Sequence, residues 1–231
     1  MNASPSRTGE LQTDPALGLS FRLIQPVPAR PRHCVILLHG VGSNEADMAG
    51  LASGMNADTL VILVRGPLTL GPGQFAWFHV VFGANGPNID AGEAKHSRLA
   101  LIHFVQQAQV KYGIAPANTV IAGFSQGGIM SASVALSTPE CVAGFGLLSG
   151  RILPELDASL ATSERLTKLH AFVSHGEQDT VLPVAWAYRS EALLTQLGVT
   201  HEFHLYPMNH GISDGMHTDF LAWLASLNQR P

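Results

Sequence analysis

The hydrophobic residues of this chain fall into short continuous runs, separated by segments in which apolar positions recur with helical spacing. Such short runs are typical of strands that are covered on both faces of a sheet. They predict strands at residues 34–38, 59–64, 120–122, 142–148, 169–174 and 201–206, and the alternating residues 19–23 predict an edge strand. Helices are predicted at residues 44–54, 93–112, 126–137, 183–197 and 214–227. This alternation predicts an α/β fold with a mostly parallel central sheet and helices on both faces.

Two segments depart from this alternation. Residues 1–16 are rich in Ser, Thr, Pro and Gly and are predicted to form a flexible tail, which leaves one domain at residues 17–228. Residues 65–92 are punctuated by Gly and Pro and predict a long functional loop that could wall a substrate pocket. Trp77 and Phe78 in this loop either line that pocket, as candidate substrate-binding residues, or anchor the loop to the core.

The candidate chemistry begins with residues 123–127, which read Gly-Phe-Ser-Gln-Gly and match the pattern G-x-S-x-G. The motif lies between a predicted buried strand and a predicted helix, where a sharp turn exposes its serine as a nucleophile. Glycines are needed two residues either side because larger side chains would clash at such a turn. The helix that follows places free N–H groups and the positive end of its dipole beside Ser125. Ser125 is therefore the predicted nucleophile.

A serine nucleophile requires a base and a carboxylate that orients the base. In a doubly wound sheet these groups are expected in loops at the carboxyl ends of strands. His210 lies in a glycine-flanked loop after the last strand, and Asp179 lies in the loop after the preceding strand. The chain order Ser125, Asp179, His210 is the one expected for an α/β-hydrolase. Glu177 and Asp214 are the alternative carboxylates.

An oxyanion that forms during attack by the serine needs two N–H donors. The backbone amide of Gln126, directly after the nucleophile, is the first candidate. The second is the backbone amide of Val41, in the glycine-rich loop after the strand at residues 34–38. Alternatively, Gly40 and Gly42 serve only the turn in that loop.

Composition narrows the class of partner. Charged residues make up 13% of the 231 residues, and the formal net charge of −4, with no basic cluster, argues against a nucleic-acid partner. Cys34 and Cys141 lie in apolar surroundings and are predicted to be buried free thiols. No apolar run reaches the length of a membrane span, and no leader segment is visible, so we expect a cytoplasmic protein. The low charge content is compatible with a homodimer.

Several of these features together resemble the phospholipase/carboxylesterase family, which includes bacterial carboxylesterases and acyl-protein thioesterases. They are Leu-His-Gly-Val-Gly at 38–42, Trp77-Phe78, Gly-Phe-Ser-Gln-Gly-Gly at 123–128, His175-Gly176 with Asp179 and Pro183, and Asn209-His210-Gly211. The resemblance covers residues from about 30 to 225. It implies an α/β-hydrolase fold, a triad of Ser125, His210 and Asp179, and an oxyanion hole at Val41 and Gln126. His79 departs from the family, whose members commonly have Asp after the Trp-Phe pair.

The expected function is that of a serine carboxylesterase, which acts on a small-molecule ester or thioester through an acyl-enzyme on Ser125. No metal and no organic cofactor are expected to take part. The closest alternatives are other reactions on the same fold, namely lysophospholipase, lactone or peptide hydrolysis. A non-catalytic binding protein that retains the fold is the alternative from another functional class.

Overall fold

The computed structural model describes residues 7–83 and 86–228. Its strands are β1 (Arg7–Thr8), β2 (Gln12–Thr13), β3 (Ser20–Gln25), β4 (His33–Leu38), β5 (Thr59–Val64), β6 (Leu68–Gly71), β7 (Gln74–Ala76), β8 (Val80–Gly83), β9 (Gly86–Ile89), β10 (Thr119–Phe124), β11 (Gly144–Leu148), β12 (His170–Gly176) and β13 (Thr200–Tyr206). Its α-helices are α1 (Ala91–Tyr112), α2 (Gln126–Ser137), α3 (Ser163–Leu166), α4 (Ala185–Leu197) and α5 (Asp214–Leu227). Short 3-10 helices cover Glu45–Ala52, Pro116–Asn118, Pro139–Cys141 and Pro154–Ser159.

The central sheet has the strand order β1-β3-β5-β4-β10-β11-β12-β13, with β2 also paired to β3. The neighbours from β5 to β13 are all parallel, whereas β3 is antiparallel to β5. The predicted mostly parallel sheet is therefore confirmed. Because parallel strands end at the same edge, the loops that follow β4, β10, β11, β12 and β13 converge there.

Helices cover both faces of the sheet, and the side chains of each central strand alternate between them. In β4, Cys34, Ile36 and Leu38 pack on the face that also buries residues of α1 and α2. Val35 and Leu37 face the other side, where they pack with residues of the Glu45–Ala52 helix and of α5. Burial on two faces explains why β4 is a continuous apolar run and not an alternating one.

The predicted strands and helices agree with the structure to within a few residues at their ends, but two regions differ from expectation. Residues 7–13, expected in a flexible tail, include β1 and β2, which pair with β3; residues 1–6 lie outside the described chain. The described residues of 65–92, expected to be a loop, include the paired strands β6-β7 and β8-β9; residues 84 and 85 of this segment lie outside the described chain. Between β11 and β12 the chain forms the 3-10 helix Pro154–Ser159 and then α3.

A buried carboxylate ties together three segments at one end of the sheet. The Glu45 side chain is 1% exposed and accepts hydrogen bonds from Nε of Arg22 at 2.7 Å and from Nε and Nη2 of Arg65 at 2.7 and 2.8 Å. Burial raises the pKa of Glu45, but the hydrogen bonds from Arg65 and Arg22 outweigh it and hold the pKa at about 2. Glu45 is therefore ionised at neutral pH.

Cys34 and Cys141 are buried free cysteines, as the sequence predicts. Burial raises the pKa of each thiol to about 12. Within residues 7–83 and 86–228, no helix combines the length and hydrophobicity that crossing a bilayer requires.

Candidate active site

Ser125 occupies a sharp turn between β10 and α2. Its backbone angles, φ 53° and ψ −116°, lie outside the regions that L-residues ordinarily adopt. The turn is possible because its flanking positions have no side chains. A Cβ on Gly123 would overlap the backbone of Gly127, and a Cβ on Gly127 would overlap the carbonyl of Leu38. The two glycines of the motif therefore allow β10, the turn and β4 to pack closely.

Ser125, His210 and Asp179 form one hydrogen-bonded chain, although they come from three different loops. Oγ of Ser125 lies 2.9 Å from Nε2 of His210, and Nδ1 of His210 lies 2.6 Å from Oδ2 of Asp179. The side chain of Asp179 is fully buried, whereas that of His210 is 15% exposed. The three residues that the sequence places in separate segments are thus brought within hydrogen-bonding distance of one another.

The partners of His210 determine which ring nitrogen carries the proton. An ionised carboxylate can only accept, so Nδ1 of neutral His210 carries the hydrogen and donates it to Asp179. Nε2 is then unprotonated and accepts from the hydroxyl of Ser125. This tautomer leaves a free lone pair beside the serine proton, as a general base requires.

Asp179 is held by its own loop as well as by His210. Its Oδ1 accepts from the amides of Val181 at 2.9 Å and Leu182 at 2.7 Å. Behind it, Nε2 of His175 donates to the carbonyl of Leu182 at 2.7 Å and lies 3.3 Å from Oδ2 of Asp179. Burial lowers the pKa of His175 and favours its neutral form. Asp179 is thereby fixed with one oxygen directed at His210.

The alternative carboxylates do not contact His210. Glu177 is exposed, and Asp214 is exposed in the first turn of α5. Among the hydrogen bonds and ion pairs of the described residues, Asp179 is the carboxylate that contacts Nδ1 of His210.

The two residues predicted to donate to an oxyanion, Val41 and Gln126, lie beside Ser125 at the cavity. The amide of Gln126 is the first of α2, a position without an intrahelical acceptor. None of the backbone hydrogen bonds recorded between described residues outside regular elements uses the amide of Val41. The neighbouring turn is fixed instead by Gly42, which has φ 76° and donates to the carbonyl of Phe75 at 2.9 Å. Val41 and Gln126 both line the cavity at Ser125.

The cavity beside Ser125 has a volume of about 290 Å³. Its wall is mostly apolar and includes Phe78, Val80, Ile89, Phe124, Ile129 and Leu182. Val80 and Ile89 belong to the β8-β9 hairpin, so part of the segment predicted to wall a pocket does line this cavity. Ser125, His210 and Arg151 supply polar groups to the wall.

The comparison with family models matches residues 21–228 to the phospholipase/carboxylesterase family. This match spans most of the chain and includes every residue of the hydrogen-bonded chain. The chain belongs to the phospholipase/carboxylesterase family. Membership makes the protein a hydrolase, and the family supports esterase activity.

Curated relatives of this family member include esterases and thioesterases. It is 30% identical to acyl-protein thioesterase 1 of Kluyveromyces lactis over 173 residues, which cover 68% of this chain and 75% of that protein. It is 26% identical to a probable carboxylesterase of Oryza sativa subsp. japonica over 217 residues, which cover 86% of this chain and 80% of that protein.

Solved structures support the fold of this family member. A carboxylesterase from Mesorhizobium loti superposes with a TM-score of 0.80 at 23% identity, covering 96% of this chain and 99% of that chain. The Bacillus cereus carboxylesterase gives a TM-score of 0.78 at 22% identity, covering 90% and 94%. With the family match and the sheet order, these likenesses establish the predicted α/β-hydrolase fold.

Trp77 and Phe78 occupy different positions in this hydrolase. Both side chains are buried, but Phe78 lines the cavity, whereas Trp77 does not and its Nε1 donates to the carbonyl of His39 at 2.9 Å. We therefore retain only Phe78 as a candidate for substrate contact. Of the two positions that the sequence allows for these aromatics, Phe78 lines the pocket and Trp77 anchors the segment to the core.

The side chain of Gln126 also fixes the position of a neighbouring segment, which the sequence does not predict. Its side-chain Oε1 accepts from the amide of Trp77 at 2.7 Å, and its Nε2 donates to the carbonyl of Phe78 at 2.7 Å. The residue after the nucleophile thereby holds the segment that walls the cavity. The G-x-S-x-G pattern leaves this position unspecified, so the motif itself carried no signal for the contact.

The loop of His210 is held by two further side chains that the interpretation did not single out. Oδ1 of Asn209 accepts from the amide of Thr180 at 2.9 Å, from the hydroxyl of Thr180 at 3.1 Å and from the amide of His210 at 2.7 Å. The hydroxyl of Ser149, a residue with φ 49°, donates to the carbonyl of Gly211 at 2.9 Å. The loops after β11, β12 and β13 are thus joined around His210.

His79 pairs with a carboxylate outside the cavity wall. Its Nδ1 lies 2.8 Å from Oε2 of Glu93, which also accepts from the His79 amide at 2.7 Å.

Among residues 7–83 and 86–228, no group of three or more His, Cys, Asp and Glu side chains could hold a metal ion.

Proposed function

We propose that this protein is a serine carboxylesterase that hydrolyses carboxylic esters or thioesters through an acyl-enzyme on Ser125. The observation that carries the proposal is the continuous hydrogen-bonded chain from Asp179 through His210 to Ser125, which opens into an apolar cavity. Membership of the phospholipase/carboxylesterase family supports the same reaction class.

In the first step, Oγ of Ser125 attacks the substrate carbonyl while Nε2 of His210 accepts the hydroxyl proton. The imidazolium that forms is stabilised by Asp179, which lies 2.6 Å from Nδ1. The amides of Val41 and Gln126 stabilise the oxyanion of the tetrahedral intermediate. Protonated His210 then transfers its proton to the leaving alcohol or thiol, and the acyl group stays on Ser125.

In the second step, His210 removes a proton from a water molecule that attacks the acyl-enzyme. A second tetrahedral intermediate forms at the same two amides and collapses to the carboxylic acid, and Ser125 recovers its proton from His210. The apolar wall of the cavity is suited to the hydrocarbon part of the substrate. Neither step requires a metal or an organic cofactor.

The test is hydrolysis of a series of p-nitrophenyl esters, from acetate to palmitate, by the wild-type protein and by Ser125→Ala. We expect saturable turnover by the wild type and a loss of roughly 10⁶-fold in kcat in the variant. A thioester series, a lysophospholipid, a lactone and a peptide, assayed alongside, separate the esterase from other hydrolases of this fold.

A fluorophosphonate probe that labels active-site serines provides a check that needs no substrate. The wild type should be labelled on Ser125, whereas Ser125→Ala should remain unlabelled with an unchanged circular dichroism spectrum. Equal background hydrolysis by both proteins, together with no labelling of the wild type, would favour a non-catalytic binding protein and refute the proposal.

A further inference from the structure

Arg151 is a buried cation beside the candidate nucleophile. It directly follows Gly150, where a Cβ would lie 3.0 Å from the carbonyl oxygen of Ser125 and 3.3 Å from the amide nitrogen of Ile129. Arg151 is only 4% exposed, and it lines the same cavity as Ser125 and His210. The loop after β11 thus brings a guanidinium to the wall of an otherwise mainly apolar cavity.

This guanidinium lies over an aromatic ring. Its central carbon lies 4.4 Å from the ring centroid of Trp186. No hydrogen bond or ion pair recorded between described side chains involves Arg151. Burial lowers the pKa of Arg151, and the charge of Glu155, which raises it, acts without forming an ion pair. The positive charge therefore lacks a direct carboxylate partner among the described residues.

The hydrogen-bond donors of the Arg151 guanidinium have no partner among the described residues. The contact with the ring involves no N–H donor in a hydrogen bond, and the planar fork of a guanidinium matches both oxygens of a carboxylate. A buried charge is costly unless it is paired, so an anionic group bound in the cavity would gain a strong and desolvated partner. Among the described residues that line the cavity, Arg151 is the one with a permanent charge.

We propose that Arg151 is a specificity-determining residue that binds a carboxylate on the substrate, so that the preferred substrates are esters with an apolar body and an anionic end. This inference rests on the proposed esterase function and concerns the same cavity. The carboxylate can belong to the acyl part, as in the half-ester of a dicarboxylic acid, or to the alcohol part. The shared chemistry is a carboxylate in the plane of the Arg151 guanidinium.

The test uses two pairs of esters in which a carboxylate is replaced by an uncharged amide of similar size. The monophenyl ester of adipic acid is compared with the phenyl ester of adipamic acid, which places the charge on the acyl part. Next, 4-acetoxybenzoate is compared with 4-acetoxybenzamide. In this pair the negative charge lies on the leaving group. We expect wild-type kcat/KM to favour the carboxylate of at least one pair by roughly 10- to 100-fold.

Three variants assign that preference to Arg151. Arg151→Met should lower the carboxylate-to-amide ratio to roughly one while hydrolysis of the amide member persists. Arg151→Lys keeps the charge without the planar fork and should retain part of the preference. Arg189→Met is the matched control, because the Arg189 guanidinium also lies over Trp186, at 4.7 Å, but is exposed and does not line the cavity. It should leave the ratio unchanged.

The outcomes separate this inference from the function on which it rests. Wild-type hydrolysis without preference in either pair would overturn the inference and leave the esterase intact. An equal loss for both members of a pair in Arg151→Met would assign Arg151 a structural role. If no ester is hydrolysed, calorimetric binding of the four compounds to Ser125→Ala still measures the preference without turnover. Equal affinity within each pair would then overturn it.

Discussion

The side-chain amide of Gln126 donates a 2.7 Å hydrogen bond to the backbone carbonyl of Phe78, a residue of the cavity wall. A second hydrogen bond, from the amide of Trp77 to Oε1 of Gln126, completes a two-point contact. The residue that follows the candidate nucleophile is thereby linked to the wall of the cavity. Its side chain fixes the position of the wall, and we propose its backbone amide as a donor to the oxyanion.

Replacement of Gln126 by Leu should separate these two contributions. The backbone amide remains, but two buried backbone groups lose their partners, which costs about 3 kcal/mol of stability. We also expect kcat/KM to fall roughly 10-fold, because the cavity wall is no longer fixed against the turn. The measurements are urea unfolding and ester hydrolysis at a temperature where both proteins are folded.

Ser97→Ala is the control for this change. The hydroxyl of Ser97 donates to the carbonyl of Trp77 at 2.6 Å from α1, away from the cavity. Its loss should cost about 1 kcal/mol of stability with kcat/KM altered less than about twofold. A folded Gln126→Leu protein with wild-type kcat/KM would contradict the positioning role of the side chain.

Asp179→Asn should lower kcat by roughly 10⁴-fold with little effect on the fold. The amide is similar in shape to the carboxylate, but it neither selects the tautomer with the proton on Nδ1 nor stabilises the imidazolium. Steady-state kinetics on a short-chain p-nitrophenyl ester measures the loss.

Glu177→Gln and Asp214→Asn test the two other carboxylates that the sequence allowed. Both side chains are exposed, so each variant should retain kcat to within about twofold. If either change reduced kcat as much as Asp179→Asn, the assignment of Asp179 as the orienting carboxylate would be wrong.

The conservative substitution Asn209→Asp should shift the pH dependence of kcat/KM. Its Oδ1 acts as an acceptor in three hydrogen bonds, and Asp at this position keeps that oxygen. The added negative charge next to His210 stabilises the protonated base, so the acid limb of the kcat/KM profile should move to higher pH.

Asn209→Ala removes the acceptor and should lower kcat roughly 10-fold, because the loops of His210 and Asp179 are no longer joined. Full pH–rate profiles of the three proteins distinguish the effects. An Asn209→Asp profile that coincides with that of the wild type would show that the charge at this position does not act on the base.

Glu45→Gln addresses stability and not catalysis. Removing the charge leaves Arg22 and Arg65 without their shared partner and should cost about 3 kcal/mol near pH 7. The folded-state pKa of about 2 lies below the unfolded value. The stabilisation is therefore present above about pH 5 and decreases as the pH falls through the folded-state pKa.

The difference in unfolding free energy between wild type and Glu45→Gln should therefore narrow as the pH is lowered. Denaturant unfolding at several pH values between about 3 and 7 measures it, and referring each value to the variant cancels the titration of the other carboxylates. A difference that stays constant over this range would exclude the charge of Glu45 as its source.

The sequence was most informative where burial alone determines the structure. The apolar run at 59–64 corresponds to β5, and Asp214–Leu227 to α5, because a strand covered on both faces and an amphipathic helix each leave a local pattern. The positions of Ser125, Asp179 and His210 could also be predicted, since parallel strands bring their following loops to one edge of the sheet.

The hairpins within 65–92 could not be predicted in the same way. Strands of three or four residues, such as Gln74–Ala76, are too short to show a period, and their pairing depends on contacts with the core. The Gln126 side-chain contacts and the contact of Trp186 with Arg151 join residues 35 or more positions apart, and no local pattern records such contacts. The residues that position the site were therefore less predictable than those expected to perform the chemistry.

The burial of the two cysteines makes site-specific fluorescent labelling of this protein straightforward. With pKa values raised to about 12, Cys34 and Cys141 hold almost no thiolate at neutral pH, and their side chains are shielded from solvent. A cysteine introduced at the exposed Val81, on the hairpin beside the cavity, would then be the dominant reactive thiol. A maleimide dye attached there could report the arrival of a ligand in real time, without removal of either native cysteine.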